Sequence, residues 1–309
     1  MKRFLYSFFV AVIRPGLHLL GFDIVAWHKR IADAEVWREV LKFGDFAKSY
    51  VPIRRSQTKK TKIIWQFWWQ GVENAPPIVK ACMKSVRDHA NGWDVVVVDR
   101  SNFSKYVNVH EDILKHLQAG VMSIAHFSDY LRARLLAEHG GIWADATVYL
   151  TDSIPDEISN SDFFMFKSAL WANAENIPDT VLLAKCVHVA GRDVMGGGGD
   201  AGSSWFLVSR AGSPILTLTA ELIEKYWEVH DSLIDYFLFH KFVSLCVCVN
   251  DVCREEYLSS PKKTNIPPHL LQFSLLDDPD DVLLAAIKSV SQIHKLTYKL
   301  SECPRFIRL

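Results

Sequence analysis

The sequence predicts an α/β fold with a largely parallel sheet. Three observations predict it. Segments rich in β-formers alternate with segments of helical spacing through the middle of the chain. One candidate strand carries an unbroken valine run, the mark of a strand covered on both faces. Glycine and proline punctuate the borders between these segments.

In order, residues 28 to 50 read as helical, with Ile31, Val36, Val40 and Leu41 recurring near helical spacing. The basic stretch RRSQTKKTK at 54 to 62 reads as a linker or exposed edge. KIIWQFWWQG is the first strand, ended by Gly71. PPIVKACMKSVRDHA is a helix entered through Pro76 and Pro77. WDVVVVDR is a second strand, EDILKHLQAG and AHFSDYLRARLLAEHGG are helices, and IWADATVYL is a third strand. The second half is less regular. SDFFMFKSA and WFLVSR read as strands, SPILTLTAELIEKYWEVH as a helix, and DYFLFHKFVSLCVCV as a buried helix. MGGGGDAGSS at 195 to 204 is flexible by composition, and NIPDTVLLAKCVHVA mixes signals.

A chain of 309 residues builds one large domain, or a domain with a small appendage. Lys+Arg and Asp+Glu are equal at 35 each, which removes the global electrostatic case for nucleic acid as a partner. The six cysteines form no C-x-x-C pair, so they read as small hydrophobes in a reducing cytoplasm. The N-terminus, MKRFLYSFFVAVIRPG, has an apolar run from Phe4 to Ile13, short of the roughly 20 residues a bilayer requires. No A-x-A cleavage site follows it. Two readings stay open: short amphipathic helices on a membrane surface, or a helical extension docked on the main domain. Residues 1–60 are therefore taken as an N-terminal helical extension and 61–309 as the main domain.

The segment SDYLRARLLAEHGGIWADATVYL concentrates the chemistry. Asp129 stands near the start of an apolar helix, where a carboxylate caps free N–H groups and meets the helix dipole. Arg132 follows three residues later on the same face, so an Asp129–Arg132 pair is expected. Gly140 and Gly141 supply a stop. Asp145 is harder to explain, because aspartate is unfavourable inside a strand. Ligands of open α/β sheets gather at the carboxyl ends of strands, and a carboxylate there suits a divalent cation holding phosphates. An aspartate that only shapes a turn is the other reading.

The blocks KIIWQFWWQG, FSDYLRARLLAEHGGIWADATVYL and DYFLFHKF resemble glycosyltransferases of the capsular polysaccharide synthesis type, related to glycosyltransferase family 32 and distantly to the clostridial glucosylating toxins. The resemblance runs from about Lys62 to about Val249. Its pattern is Ser-Asp, two residues, Arg, then Gly-Gly, an aromatic and a D-x-D. The chain keeps Ser128, Asp129, Arg132, Gly140, Gly141, Trp143 and Asp145. It departs at Thr147, where the second aspartate of the D-x-D would stand.

The resemblance implies a GT-A (nucleotide-diphospho-sugar transferase) fold and a metal-dependent, retaining transfer of a hexose from a nucleotide sugar donor, expected to be a UDP-sugar. The acceptor would be a lipid-linked saccharide or a growing polysaccharide. Trp65, Gln66 and Trp68 would line the nucleotide pocket, with an aromatic face for the base. Asp129 and Arg132 would contact the sugar and its phosphate end. Asp145 would hold Mn²⁺ or Mg²⁺, with Thr147 offering a hydroxyl and His240 a candidate further ligand; a satisfied histidine in an apolar helix is the alternative for His240. Ser203, Ser204 and Trp205 would close over the diphosphate, with Gly196 to Gly199 permitting movement. A plain turn before a core strand is the alternative for Trp205. The expected location is cytoplasmic, peripheral on the inner face of the membrane. A nucleotide-sugar hydrolase or phosphoryl transferase, and a non-catalytic subunit of a polysaccharide assembly complex, are the competing readings.

Overall fold

The structure, a computed structural model, describes residues 24–52, 61–168, 200–275 and 280–299, with 304 and 307; over 24–32 it describes the backbone alone. The N-terminal apolar run, the basic stretch from 54 to 60, NIPDTVLLAKCVHVA and the glycines 196 to 199 lie outside the described residues.

The chain enters through helices α1 (Ile24–Leu41) and α2 (Gly44–Ser49). Strand β1 (Ile63–Phe67), helix α3 (Pro77–Asp88) and strand β2 (Asp94–Val98) follow. Helices α4 (Glu111–Gln118) and α5 (Ile124–His139) lead to β3 (Gly141–Ala144), β4 (Val148–Leu150), α6 (Asp156–Ser159) and β5 (Phe163–Lys167). Strand β6 (Gly202–Ser209) precedes helices α7 (Pro214–Val229), α8 (Leu238–Val249), α9 (Asp251–Ser259), α10 (Ile266–Ser274) and α11 (Asp281–Val290), and β7 (Ile293–Lys295) comes last.

Five strands form the central sheet in the order β2-β1-β3-β6-β5. β1 pairs parallel with β2 and β3, and β6 runs antiparallel to both β3 and β5. Four strands thus point one way and β6 returns, as the α/β reading of the sequence requires. Side chains alternate across the sheet. Trp65, Trp143, Leu207, Phe163 and Met165 face the large core built with α5, α7 and α8. Ile64, Ile142, Phe206, Val208, Phe164 and Phe166 face a second core. Covering both faces explains why these strands read as continuous apolar runs. Helices α1 and α2 join the large core through Val36, Trp37, Val40 and Ala47. Asn250 ties them down by donating to the carbonyls of Ala47 and Tyr50 at 3.0 and 2.9 Å.

Three expectations change. The valine strand β2 is only half-buried, because it lies at the edge of the sheet. IWADATVYL is two strands: β3 ends at Ala144, and β4 pairs antiparallel with β7 in a separate two-stranded sheet. Asp145 therefore occupies the turn between strands, where Val148 N–H donates to its carbonyl at 2.8 Å and its own N–H donates to Trp205 O at 2.9 Å. Helix α5 begins at Ile124 with Ser123 as its cap, so Asp129 lies inside the helix and caps nothing.

Candidate functional site

A cavity of about 550 Å³ opens where β1 and β3 end and β6 begins. Each element contributes by a simple geometric rule. Trp68 and Trp69 follow the last residue of β1. Ser128, Asp129 and Arg132 lie on the first turns of α5, at spacings that share one helix face. Asp145, Ala146 and Thr147 form the turn after β3. Ser203, Ser204 and Trp205 come from the start of β6, which reaches the same edge because it runs antiparallel. Tyr236, Phe237 and His240 arrive with α8, and Lys295 and Tyr298 with β7.

Arg132 is the hub. Its guanidinium is buried, with a side chain 7% exposed. Nη1 pairs with Asp129 Oδ1 at 2.6 Å and donates to Ser204 Oγ at 2.5 Å. Nη2 donates to Ser128 Oγ and to Asp145 Oδ1, both at 3.2 Å. Two rings flank the cation: Trp143 at 5.1 Å and Phe239 at 5.8 Å from centroid to Cζ. A fork held this way is fixed in orientation before any ligand arrives, which suits it to phosphate oxygens.

Asp145 is held as firmly. Trp143 Nε1 donates to its Oδ1 at 2.8 Å, and the Lys295 ammonium lies 3.3 Å from Oδ2. Lys295 Nζ also donates to Thr147 Oγ1. Asp129 is half-buried, and desolvation pushes its carboxyl up to about 6 against the opposing pull of Arg132. Burial, with Arg132 and Lys241 nearby, pushes His240 down to about 3, so it is a neutral imidazole at ordinary pH. Among the described residues its Nδ1 has no hydrogen-bond partner.

The residues expected from sequence divide cleanly. Trp68, Ser128, Asp129, Arg132, Asp145, Thr147, Ser204, Trp205 and His240 all line the one cavity. Trp65 and Gln66 do not. Both lie inside β1, under the faces of the sheet, and of this strand only its last residue, Phe67, reaches the opening, followed by Trp68, Trp69 and Gln70. Trp65 packs edge-on against Tyr106 and donates Nε1 to Gly140 O at 2.9 Å, while Gln66 is fully buried. Trp205 serves both readings offered for it: it lines the cavity, and its ring stacks on Phe166 at 4.8 Å in the second core.

The donor set does not suit a divalent cation as it stands. Among the described residues no three His, Cys, Asp or Glu side chains converge. Asp145 already faces a cation at each oxygen, and Thr147 Oγ1 accepts from an ammonium. The expected Mn²⁺ or Mg²⁺ on Asp145, Thr147 and His240 thus has no assembled shell, because Lys295 stands where the ion would bridge the first two.

Sequence reasoning missed Lys295, Tyr236, Tyr298 and His269. Tyr236 lies within the DYFLFHKF block and was open to notice there. Lys295 carries no local signal, since a single lysine in a short strand resembles any solvated one.

Known proteins match this chain in sequence and in structure. The sequence profile described as "Capsular polysaccharide synthesis protein" matches residues 26–304. The O-glycosyltransferase braB of Annulohypoxylon truncatum is 26% identical over 301 residues, covering 93% of this chain and 60% of that protein. The O-glycosyltransferase PaGT of Phomopsis amygdali is 29% identical over 108 residues, covering 32% of this chain and 27% of that protein. The chain thus spans less than two thirds of the length of these curated relatives. A solved structure titled PaToxG Glycosyltransferase superposes over 87% of each chain with a TM-score of 0.37 and 14% identity.

Proposed function

Because the chain belongs to the capsular polysaccharide synthesis protein family, we propose that it is a glycosyltransferase of the GT-A kind. It moves a hexose from a nucleoside diphosphate sugar, a UDP-sugar in the first instance, to the hydroxyl of a saccharide acceptor. One observation carries the proposal: a buried arginine fork, oriented by Asp129, Ser128, Ser204 and Asp145, at the carboxyl ends of the parallel strands β1 and β3. The names of the two fungal relatives support transfer to oxygen.

Each residue has a task in this reading. Trp68 offers a ring to the base. Arg132 binds the diphosphate and stabilises the negative charge that grows as the sugar–phosphate bond breaks. Asp129, ionised above about pH 6, holds Arg132 and faces the positive charge that grows on the sugar ring. Both carboxylates of the cavity, Asp129 and Asp145, are engaged by Arg132. Neither is free as a covalent nucleophile, which favours front-face attack by the acceptor with retention at the anomeric carbon. No step is assigned to a divalent ion.

The test is a screen of nucleotide sugars against the full chain, with and without oligosaccharide acceptors, read as donor consumption and as thermal shift. Release of free sugar with no transferred product would make the protein a hydrolase. Absence of both binding and consumption across the panel would leave a non-catalytic subunit as the better reading. Among the described residues no helix is long and apolar enough to cross a membrane. Peripheral attachment through residues 1 to 20 is part of the proposal, and unchanged membrane partition after their deletion would remove it.

A further inference from the structure

We propose that Lys295 is the cation that grips the donor's diphosphate, standing where a divalent ion would otherwise bind. The inference rests on the glycosyltransferase reading of the same cavity and assigns it a metal-independent chemistry. Three observations carry it.

First, Lys295 occupies the right place. Its ammonium lies 3.3 Å from Asp145 Oδ2 and donates to Thr147 Oγ1. These are the two side chains of the Asp145-Ala146-Thr147 turn that an ion would bridge. A divalent cation brought to Asp145 would face an ammonium at one oxygen and the Arg132 guanidinium at the other.

Second, the position is built by backbone pairing rather than by a loose side chain. Strand β7 pairs antiparallel with β4, with Lys295 opposite Val148. Leu296 N–H donates to Thr147 O at 3.0 Å, so the strand that carries the lysine is laced to the turn it serves. Ile293 and His294 beside it are buried and anchor β7.

Third, the ammonium retains capacity and access. It has three N–H donors, one of them given to Thr147 Oγ1 while Asp145 Oδ2 is an ion-pair contact at 3.3 Å, so donor capacity remains for a ligand oxygen. The side chain is 22% exposed and lines the cavity with Arg132. Residue 147 decides how many anions flank the ammonium. A second carboxylate there would hold the ammonium between two anions, whereas Thr147 offers a neutral oxygen and, among the described residues, Asp145 is the carboxylate paired with it.

In the transfer step the bond between the anomeric carbon and the diphosphate oxygen breaks, and its electron pair stays on that oxygen. The acceptor oxygen forms the new bond to the anomeric carbon, and its proton passes to the departing phosphate. Lys295 stabilises the phosphate charge by hydrogen bonding, alongside Arg132.

The experiment is calorimetry of UDP and GDP binding to the full chain in excess EDTA and again with Mn²⁺, using wild type, Lys295→Met, Lys295→Arg and Thr147→Asp. Wild type is expected to bind one of the nucleotides in EDTA, with affinity changed less than about threefold by Mn²⁺. Lys295→Met is expected to weaken that binding by roughly 30-fold, the loss typical of a hydrogen bond to a charged group, and Lys295→Arg to recover most of it. Thr147→Asp, which keeps the lysine, is expected to weaken metal-free binding at least about tenfold. Binding that vanishes in EDTA and returns with Mn²⁺ overturns the inference while upholding the glycosyltransferase reading. So does a correctly folded Lys295→Met, or a Thr147→Asp, that binds as wild type does in EDTA. No binding of either nucleotide by wild type under any condition overturns both.

Discussion

Arg132 Nη2 and Asp145 Oδ1 meet at 3.2 Å although one belongs to a helix and the other to the turn beyond the next strand. The lengths of two elements bring them level. From Arg132 to the end of α5 the chain advances seven residues, about 10 Å at 1.5 Å per residue. It then reverses at Gly140 and Gly141, whose φ values are 69° and 103°. The four residues of β3 run back about 13 Å at roughly 3.3 Å each. The pair is thus a product of matched rise, and four predictions follow from how it is held.

Arg132 is the partner of two carboxylates, so its removal strands both. Arg132→Ala is expected to destabilise the fold by about 3 kcal/mol, as removal of one member of a buried pair does. Arg132→Lys restores one charge but not the fork that reaches Asp129, Ser128, Ser204 and Asp145 together. It is expected to recover stability more than transfer. Denaturant titration and steady-state kinetics on the same preparations separate the two effects.

Asp145→Asn keeps an oxygen for Trp143 Nε1 and Arg132 while removing the charge. The melting temperature is expected to move by only a few degrees. Turnover is expected to fall at least about 100-fold, the scale on which a placed electrostatic group in an active site acts. A variant with full turnover would remove Asp145 from the chemistry.

Asp129 gives opposite signs for activity and stability. Its carboxyl is raised to about 6 in the folded chain by desolvation, above its usual 3.8. The folded state therefore takes up a proton that the unfolded chain leaves off between these values. The resulting stabilisation is present in acid and is lost as pH rises through about 6. Relative to Asp129→Asn, wild type is expected to gain about 1 kcal/mol on going from pH 7 to pH 5. Turnover should move the other way, with an acid limb centred near pH 6, because protonation releases Arg132 from its closest charged partner. Asp129→Asn is expected to show low turnover without that limb. Paired pH series of chemical denaturation and of kcat check both halves.

Gly140 tests the reversal itself. A Cβ there would stand 2.6 Å from the backbone nitrogen of Ala211, at a φ that L side chains rarely adopt. Gly140→Ala is expected to destabilise the fold by roughly 2 kcal/mol or more and to misplace Arg132 relative to Asp145. Thermal melting reads the first effect. Loss of turnover larger than the fraction unfolded reads the second.

Much of this was legible in the residues. The alternation of apolar strands and helices survives folding because β1, β3, β5 and β6 are covered on both faces by the two cores. Pro77 and Pro214 do open helices, and Ser213 caps the second of these by accepting from Leu216 N–H at 3.4 Å. The expected Asp129–Arg132 pair forms, since helical spacing alone brings residues three apart together. What was misread depended on where an element stops. IWADATVYL has no residue that forbids a continuous strand, yet β3 ends at Ala144, where Asp145 N–H turns to Trp205 O. Trp65 is the same residue type as Trp68, and Gln66 stands two positions from Trp68; both Trp65 and Gln66 miss the cavity because they lie inside the strand.

By itself the sequence determined the sheet, the helices, and the local cluster of Ser128, Asp129, Arg132 and Asp145, because hydrophobic period and short-range spacing act within a few residues. Only the tertiary structure decided what stands opposite that cluster. Lys295 reaches Thr147 across 148 residues of chain, through the pairing of β7 with β4. No local pattern encodes such a pairing, since its register is set by the burial of Ile293 and Val148 against the rest of the fold. The charge beside Asp145 is therefore a property of the folded chain, and it turns an apparent gap in a metal motif into a site already furnished with a cation.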